Sequence, residues 1–458
     1  MLRRPISLLM LVAFCAAAVT VHADASDDLV DQIVKLLGHP DREFRAAALE
    51  RVRTDAKGAT HTLTFAAQLP KLDASARAAL ITALGDRGDT AARPAVLEQL
   101  DGSPDEEVRT AALAALGEIG TPSDLPRLVK ALASESAAEQ EAAGTALTRL
   151  RDPSVVKVLA ADMKTAPPQV RGKLIEVLAA RRATGELDAI IAAAMDDDAS
   201  VRTAAMNALG QIGKPDQLAT MLPGVLKAAR GGERDNAERN VAEVCNRIDN
   251  EGQRGDALIA ALDTVAVAQR DELMPLVGRV GGKRLIRFVA DIAMGDDASR
   301  RSFGIDALSK WPDASPADTL LEIANKTTDA AERRQAFQAY VKVCAIRDRR
   351  NDQQRLERMK QAMKEARTTE EKIAVINRTR TAYDVEAMRF VRPYLDQPEF
   401  CQAACETIVE LAHHRQVRDP NKAEFDAVLD QVIKLSTNDE LVERANRYKR
   451  GETWERKK

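Results

Sequence analysis

The chain has 458 residues, of which 30% are charged and only 3% are aromatic, and its formal net charge at pH 7 is −3. This length is too great for one compact core, so the chain forms either several domains or one extended array of stacked repeats. The balanced charge does not indicate a nucleic-acid partner. Abundant alanine and leucine favour amphipathic helices that pack through small side chains.

The N-terminal segment 1–23 has the pattern of a secretory signal peptide. Two arginines precede an apolar run over 6–21, and a small-x-small end predicts cleavage between Ala23 and Asp24. The run is short for a membrane span, and no later stretch approaches the ~18 apolar residues of a transmembrane helix. An uncleaved anchor is the alternative. We therefore expect a periplasmic or extracellular protein with no integral membrane segment after signal cleavage.

A repeat occupies most of the remaining chain. Its two clearest copies are 107–117, Glu-Val-Arg-Thr-Ala-Ala-Leu-Ala-Ala-Leu-Gly, and 200–210, Ser-Val-Arg-Thr-Ala-Ala-Met-Asn-Ala-Leu-Gly. The step between clear copies is 31 or 32 residues, and Gln140 replaces the arginine in one of them. Such a period predicts a helical repeat array. The arginines assigned to the repeated position are Arg45, Arg77, Arg109, Arg171, Arg202, Arg301 and Arg334.

Each repeat is predicted to be a pair of helices. Residues 103–106 supply a capping hydroxyl, a proline and two carboxylates at the start of the first helix, and Gly117, Gly120 and Pro122 end it. Leucines and a valine spaced by three and four residues mark the second helix over 125–132. Because one pair cannot cover its own apolar stripe, the pairs must stack. We therefore predict an all-α fold, an α-solenoid.

The repeat resembles a known family. The pattern Val-Arg-x-Ala-Ala-x-x-Ala-Leu-Gly-x-x-Gly at 108–120 and 201–213 is similar to the short bacterial HEAT repeat of the bilin-lyase type. The segment 307–313, Ala-Leu-Ser-Lys-Trp-Pro-Asp, resembles HEAT-repeat modules of secreted proteins from planctomycete-like bacteria. At 377–382, where that family has a glycine-containing helix end, this chain has Asn-Arg-Thr-Arg-Thr-Ala. Further segments that carry the second resemblance are 320–324, 359–363, 370–372 and 393–396.

The resemblance implies a right-handed superhelix of HEAT-like helical hairpins and an exported protein, but no catalytic residue. We expect a HEAT-like repeat solenoid over 24–346, divergent repeats over 347–436, and a charged C-terminal cap or tail over 437–458. The basic residues of that tail are interpreted as a solvated cap, with contact to an anionic surface as the alternative.

Metal and cofactor motifs have the wrong spacing. The four histidines after the signal form neither a Cys-x-x-Cys-His nor a His-Glu-x-x-His motif, so we expect no metal and no cofactor. The glycine-rich segment 278–284 lacks the hydroxyl of a phosphate loop and is interpreted as a helix end between repeats. The aspartates at 196–198 and 296–297 are interpreted as helix caps rather than calcium ligands. Those histidines are His39, His61, His413 and His414.

The cysteines leave one alternative open. Cys401 and Cys405 lie four residues apart on a predicted helix, where they share a face. We interpret them as small buried residues. A disulfide from Cys344 to either of them stays open, since the predicted export route would permit it.

The repeated arginine has two interpretations. In the structural one, its stem packs in the stack while the guanidinium pairs with a carboxylate or carbonyl of the adjoining turn. In the functional one, the arginines line a groove for acidic ligands. We favour the structural arginine ladder, because the arginine lies beside the alanines that should be most buried.

These features favour a secreted scaffold for protein–protein interactions that is monomeric and has no intrinsic catalysis. The partner protein is not identified by the sequence. The alternatives are a ligand- or carbohydrate-associated binding module and a lyase-like chaperone of the bilin-lyase type. Sugar sites commonly use exposed aromatic rings, whereas Trp311 precedes Pro312 at a helix end and is interpreted as a core residue.

Overall fold

The computed structural model describes residues 27–454, and over this range the protein consists of helices and their connections, without strands. The predicted all-α fold of stacked helical hairpins is confirmed. The helices are α1 (27–37), α2 (Arg42–Thr54), α3 (Ala59–Ala66), α4 (Ala74–Arg87), α5 (Arg93–Gly102), α6 (Glu106–Ile119), α7 (Leu125–Ala131), α8 (Ala137–Arg149), α9 (Ser154–Met163), α10 (Pro168–Ala180), α11 (Leu187–Ala193), α12 (Ala199–Ile212), α13 (Leu218–Lys227), α14 (Gly232–Cys245), α15 (Glu251–Leu262), α16 (Val267–Glu272), α17 (Met274–Val280), α18 (Lys283–Ala293), α19 (Ala298–Ser309), α20 (Ala317–Lys326), α21 (Ala330–Cys344), α22 (Asp352–Glu365), α23 (Thr369–Thr379), α24 (Val385–Val391), α25 (Cys401–His413), α26 (Arg415–Arg418), α27 (Lys422–Leu435) and α28 (Asp439–Lys449).

Local capping explains where many of these helices begin. Asp198 accepts hydrogen bonds from the backbone N–H groups of Ser200 and Val201, and Asp297 does the same for Ser299 and Arg300. These bonds satisfy donors that have no partner inside the helix. The aspartate clusters at 196–198 and 296–297 therefore contribute helix caps, as predicted.

The chain divides into two compact units, whose described parts are unit 1 (27–213) and unit 2 (214–454). The change of regularity predicted at 346/347 lies inside unit 2. In unit 1 the first helices of successive hairpins pack directly against one another. We call the solvent-facing side of such a row the first-helix face. The row in unit 1 consists of α2, α4, α6, α8, α10 and α12.

Glycine allows the helices of this row to approach closely. A Cβ added at Gly85 would lie 2.9 Å from Cα of Ala115, and one added at Gly117 would lie 2.9 Å from Cα of Ala146. Both distances are too short for a real Cβ. The spacing of α4, α6 and α8 therefore depends on paired glycine and alanine positions.

Unit 2 has its own row of first helices, in which a similar contact occurs. A Cβ at Gly278 in α17 would lie 2.0 Å from the carbonyl oxygen of Ala307 in α19. Gly281 (φ 71°) and Gly282 (φ 100°) then turn the chain into α18, so 278–284 is a helix end, as predicted. The row consists of α14, α17, α19, α21, α23, α25 and α28.

Buried apolar side chains continue to the C-terminal end of unit 2. One hydrophobic cluster extends from Leu356 to Tyr448. Tyr448 lies in α28, so the predicted tail over 437–458 begins with a packed helix. Trp311 is 1% exposed, in agreement with its interpretation as core.

The proposed signal peptide over 1–23 and its cleavage site at Ala23 and Asp24 lie outside the described residues. Among the residues that are described, no helix is both long and apolar enough to span a membrane.

The four cysteines of the described chain are free thiols. Cys344 and Cys405 are buried, and Cys401 is partly buried. Burial raises the pKa of Cys344 to about 11 and that of Cys405 to about 12. The disulfide left open by the sequence is not formed in this structure.

Candidate interaction surfaces

The repeated arginine ties each first helix to the turn that precedes it. Arg109 lies four residues after the cap residue Asp105, and its Nη1 donates to the carbonyl oxygens of Ser103 (3.2 Å) and Pro104 (2.7 Å). These bonds satisfy backbone acceptors at the end of the preceding helix and in the turn. Carbonyls of the preceding turn also accept hydrogen bonds from Arg45, Arg77, Arg171, Arg202 and Arg301.

A carboxylate near the next first helix along the chain also binds Arg109, Arg171 and Arg301. Arg109 pairs with Glu139 at 2.7 Å, and the Glu139 side chain is only 10% exposed. Because the paired groups belong to successive repeats, the arginine fixes the position of one repeat on the next. The other two pairs are Arg171 with Asp196 (2.9 Å) and Arg301 with Glu332 (2.8 Å).

The assignment of Arg334 to this position is wrong. The cap of α21 is Asp329, so the fourth following residue is Arg333, whose Nη1 donates to the carbonyl of Ala324 at 2.7 Å. Arg333 also pairs with Glu371 at 3.0 Å, whereas Arg334 is exposed. Neighbouring side chains on a helix point about 100° apart, so only one of the two can reach the turn.

Sequence reasoning also missed members of the set. Arg254 follows the cap Asn250 by four residues and donates to the carbonyl of Ile248 at 3.0 Å. Arg355 stands in the same relation to the cap Asn351 and donates to the carbonyl of Arg350 at 2.5 Å. An asparagine cap four residues earlier was the signal that could have found both.

Gln140, the exception to the arginine pattern, makes a similar contact. Its Nε2 donates to the carbonyl of Ser134 at 2.7 Å. An amide donor is therefore sufficient at this position, although it has no charge.

A second type of arginine is buried at the end of a first helix rather than at its start. Arg87, which is 9% exposed, donates to the carbonyls of Val52 and Asp55 (2.7 Å each) and to Thr62 Oγ1 (2.7 Å). Burial lowers the pKa of Arg87, with the charges of Asp89 and Asp55 acting in the opposite direction. The hydrogen bonds of this guanidinium therefore hold the C-terminal end of α2 in place.

The first-helix face of unit 1 carries a shallow groove, which we call the unit-1 groove. Three adjoining cavities of about 480, 760 and 570 Å³ follow one another from α2 to α10. Small side chains form most of the floor. They leave the groove shallow where α4, α6 and α8 lie close together. The floor includes Ala79, Thr82, Thr110, Ala111, Ala114, Gly144 and Thr145.

The middle cavity of the groove is acidic. Glu106 and Glu107 line it without any lysine or arginine among its lining residues. Thr110 Oγ1 is buried there and has no hydrogen-bond partner among the described residues. In the next cavity, Lys173 pairs with Glu176 at 3.1 Å, so its charge is already balanced.

The first-helix face of unit 2 contains a different cavity, the unit-2 pocket. It has a volume of about 590 Å³ and lies among α19, α21, α23 and α25. Its charged lining consists of three basic and two acidic side chains, together with amide side chains. The charged residues are Lys342, Arg378, Arg380, Asp306 and Glu406.

The adjacent histidines take part in an aromatic stack in unit 2. The ring of His414 lies 3.8 Å from that of Tyr383, and His413 Nδ1 lies 3.0 Å from the hydroxyl of Tyr448. Within 27–454, no group of three or more metal-ligating side chains converges. Burial lowers the pKa of His414, and the neighbouring His413 adds to this effect.

Stacked hairpins of this kind define a helical-repeat protein, and a family comparison specifies the repeat. Residues 63–148 and 156–242 match the family of HEAT repeats. The HEAT-repeat assignment made from the sequence is thereby supported, whereas nothing in the match specifies bacterial or planctomycete relatives. A search of curated proteins found no match.

Comparison with solved structures returns other helical-repeat proteins at low identity. Kap121p is 12% identical, with a TM-score of 0.46, and the match covers 93% of this chain and 53% of Kap121p. This chain therefore spans about half the length of that protein. Importin beta is 12% identical, with a TM-score of 0.35, over 92% of this chain and 68% of its own.

Proposed function

We propose that this protein is a secreted, monomeric scaffold that binds a partner protein along the first-helix faces of its repeats and catalyses no reaction. The unit-1 groove is the observation that carries the proposal. It crosses several repeats, and small side chains form most of its floor. A segment of another protein can therefore lie across the helices and place its side chains between them.

The charge of the groove suggests the nature of that segment. Glu106 and Glu107 are exposed in the middle cavity, where no basic lining residue neutralises them. Complementary charge steers association and selects among partners. We expect a segment with lysine or arginine side chains in this part of the groove.

Export is the second part of the proposal, and the sequence of 1–23 supports it. Mass spectrometry of the protein recovered from the periplasm or the medium should find a mature N terminus at Asp24. Recovery of the full chain from the cytoplasm would contradict export without affecting the groove.

Site-specific photocrosslinking tests the binding surface. A photoreactive phenylalanine analogue replaces Thr145, which is exposed in the groove, or Lys130, which is exposed on the second helix α7. In native cells, the Thr145 position should give a discrete protein adduct and the Lys130 position should not.

The double substitution of Glu106 and Glu107 by glutamine should weaken that adduct, with only a small fall in the melting temperature because both residues lie in the first turn of α6. Equal labelling from both positions would contradict the assigned surface. Absence of any adduct, together with turnover of a small substrate by the pure protein, would overturn the scaffold function.

A further inference from the structure

Three cations in the unit-2 pocket have no carboxylate partner. Lys342, Arg378 and Arg380 are exposed, and no carboxylate of the described chain forms an ion pair with them. This distinguishes them from neighbouring cations on the same face, which are paired. Arg279 binds Asp235 (2.6 Å) and Glu238 (2.9 Å), and Lys310 lies 3.4 Å from Asp306.

The acidic residues of the pocket offset only part of this charge. Asp306 already lies beside Lys310. Glu406, on α25, accepts a hydrogen bond from Gln402 at 3.5 Å and forms no ion pair with a described residue. The three unpaired cations therefore remain available to an anionic group that enters from solvent.

The electrostatic surroundings of Lys342 also favour an anionic ligand. Partial burial lowers its pKa, Asp306 opposes this effect, and the positive charges of Lys310, Arg378 and Arg279 lower it further. A carboxylate bound here would offset the repulsion among these cations.

An unused acceptor in the pocket indicates what else the ligand must supply. Asn377 lines the pocket and is partly exposed, but its Oδ1 is turned inward, where it is buried and has no hydrogen-bond partner among residues 27–454. The amide must therefore rotate to present this oxygen to a ligand. A buried carbonyl oxygen without a donor is costly. A simple inorganic anion can satisfy the cations but has no N–H group for this oxygen. A peptide can provide both a carboxylate and a backbone N–H.

The pocket is large enough for a peptide segment. Its volume of about 590 Å³ falls within the roughly 300–1,000 Å³ typical of ligand sites and far exceeds the space that one carboxylate fills. Gln335 is tied to Ser302 by two hydrogen bonds of 3.2 Å, which fix this wall of the pocket.

We propose that the unit-2 pocket binds an acidic segment of a partner protein, with carboxylates on Lys342, Arg378 and Arg380 and a backbone N–H on Asn377 Oδ1. The proposal rests on the scaffold function and assigns a chemistry to its second surface. Where the unit-1 groove selects positive charge, this pocket selects negative charge.

Fluorescence anisotropy with the full mature chain tests the assignment. The probe is a labelled ten-residue peptide of alternating glutamate and glycine, and its counterpart carries glutamine in place of glutamate. At ~0.15 M salt, where long-range attraction is screened, the acidic peptide should bind and the glutamine peptide should not.

Two sets of variants locate the site. K342Q/R378Q should weaken binding of the acidic peptide by about tenfold or more, because charge-assisted hydrogen bonds are lost. N377L should also weaken it. The matched control K364Q changes an exposed lysine on the second helix α22 and should leave binding unchanged.

Competition by inorganic phosphate separates the remaining outcomes. Displacement of the peptide by equimolar phosphate would overturn the peptide assignment, and so would equal weakening by K364Q. Peptide binding that K342Q/R378Q leaves unchanged would overturn the site. The crosslink from Thr145 in unit 1 is measured in a separate experiment. If that crosslink forms but the acidic peptide does not bind, the proposal for the unit-2 pocket is overturned and the scaffold function is not.

Discussion

The two units build different surfaces from the same kind of hairpin. Described unit 1 has 22 lysines and arginines against 28 aspartates and glutamates, and small residues dominate its first-helix face. Described unit 2 has 40 of each sign, with unpaired cations in the unit-2 pocket. Stacking constrains the buried positions of a repeat but leaves the exposed positions of the first helices free to vary. A repeat array can therefore carry two charge preferences on one type of scaffold.

The units also differ in how regular their helices are. In unit 1 the arginine position recurs at steps of 31 or 32 residues from Arg45 to Arg202. In unit 2 the corresponding first helix around 267–280 is broken into α16 and α17. A close glycine contact survives this break, because Gly278 still meets Ala307. Both units therefore have closely spaced first helices, although the sequences of these helices differ in regularity.

The largest effect is expected where this spacing is disturbed. Gly117→Val should destabilise the protein by about 3 kcal/mol, because its side chain would overlap Ala146 and force α6 and α8 apart. The measurement is the free energy of unfolding from denaturant titration.

A second glycine in unit 1 provides the control. The nearest atom to a Cβ added at Gly144 is Cδ2 of Leu132, at 4.0 Å. Gly144→Ala should therefore be neutral or stabilise by up to about 1 kcal/mol through its better helix propensity. Equal losses for Gly117→Val and Gly144→Ala would contradict the role of close packing.

Much of the fold could be predicted from the sequence because its signals are local. Capping residues, apolar spacing and the helix-ending Gly120 all lie within one repeat. Gly117, which the sequence also suggested as a helix end, instead lies inside α6, where it packs against Ala146. The unit-2 pocket could not be predicted in this way. Its lining extends from Ile305 to Glu406 across four helices, and only the stack brings these exposed side chains together.

The intermediate effect tests the arginine register in unit 2. Arg333→Ala should cost roughly 2 kcal/mol, because the buried carboxylate of Glu371 loses its charged partner and keeps only the backbone N–H groups of Arg367 and Thr368. Arg334→Ala should stay within about 0.5 kcal/mol of the parent, since Arg334 is exposed. Thermal and denaturant unfolding of both variants checks the pair. A larger loss of stability for Arg334→Ala than for Arg333→Ala would support the assignment of Arg334, rather than Arg333, to the repeated position.

The same reasoning applies to the regular arginines of unit 1. Because Gln140 makes a similar bond naturally, Arg109→Gln should be tolerated better than Arg109→Ala. The failure at Arg334 has a clear origin. A difference of one residue is invisible to a loose sequence period, but it rotates the side chain away from the turn.

The smallest effect concerns pH and is confined to unit 2. Burial and His413 lower the pKa of His414, with Arg347 acting in the same direction and Glu410 and Asp352 opposing it. Above the ordinary histidine pKa, His414 is neutral in both the folded and the unfolded state and contributes no pH dependence. As the pH falls through that value, the unfolded state takes up the proton first, so the free energy of unfolding decreases.

This loss ends once the pH is below the lowered pKa of the folded state, and we expect it to stay under about 1 kcal/mol because His414 is partly exposed. His414→Phe retains a ring beside Tyr383 but cannot titrate. Unfolding of both proteins at pH 7.5 and 5.5 should therefore show a smaller decrease for the variant. An identical decrease would assign the acid sensitivity to other groups of unit 2 and leave the Tyr383–His414 stack a purely structural contact.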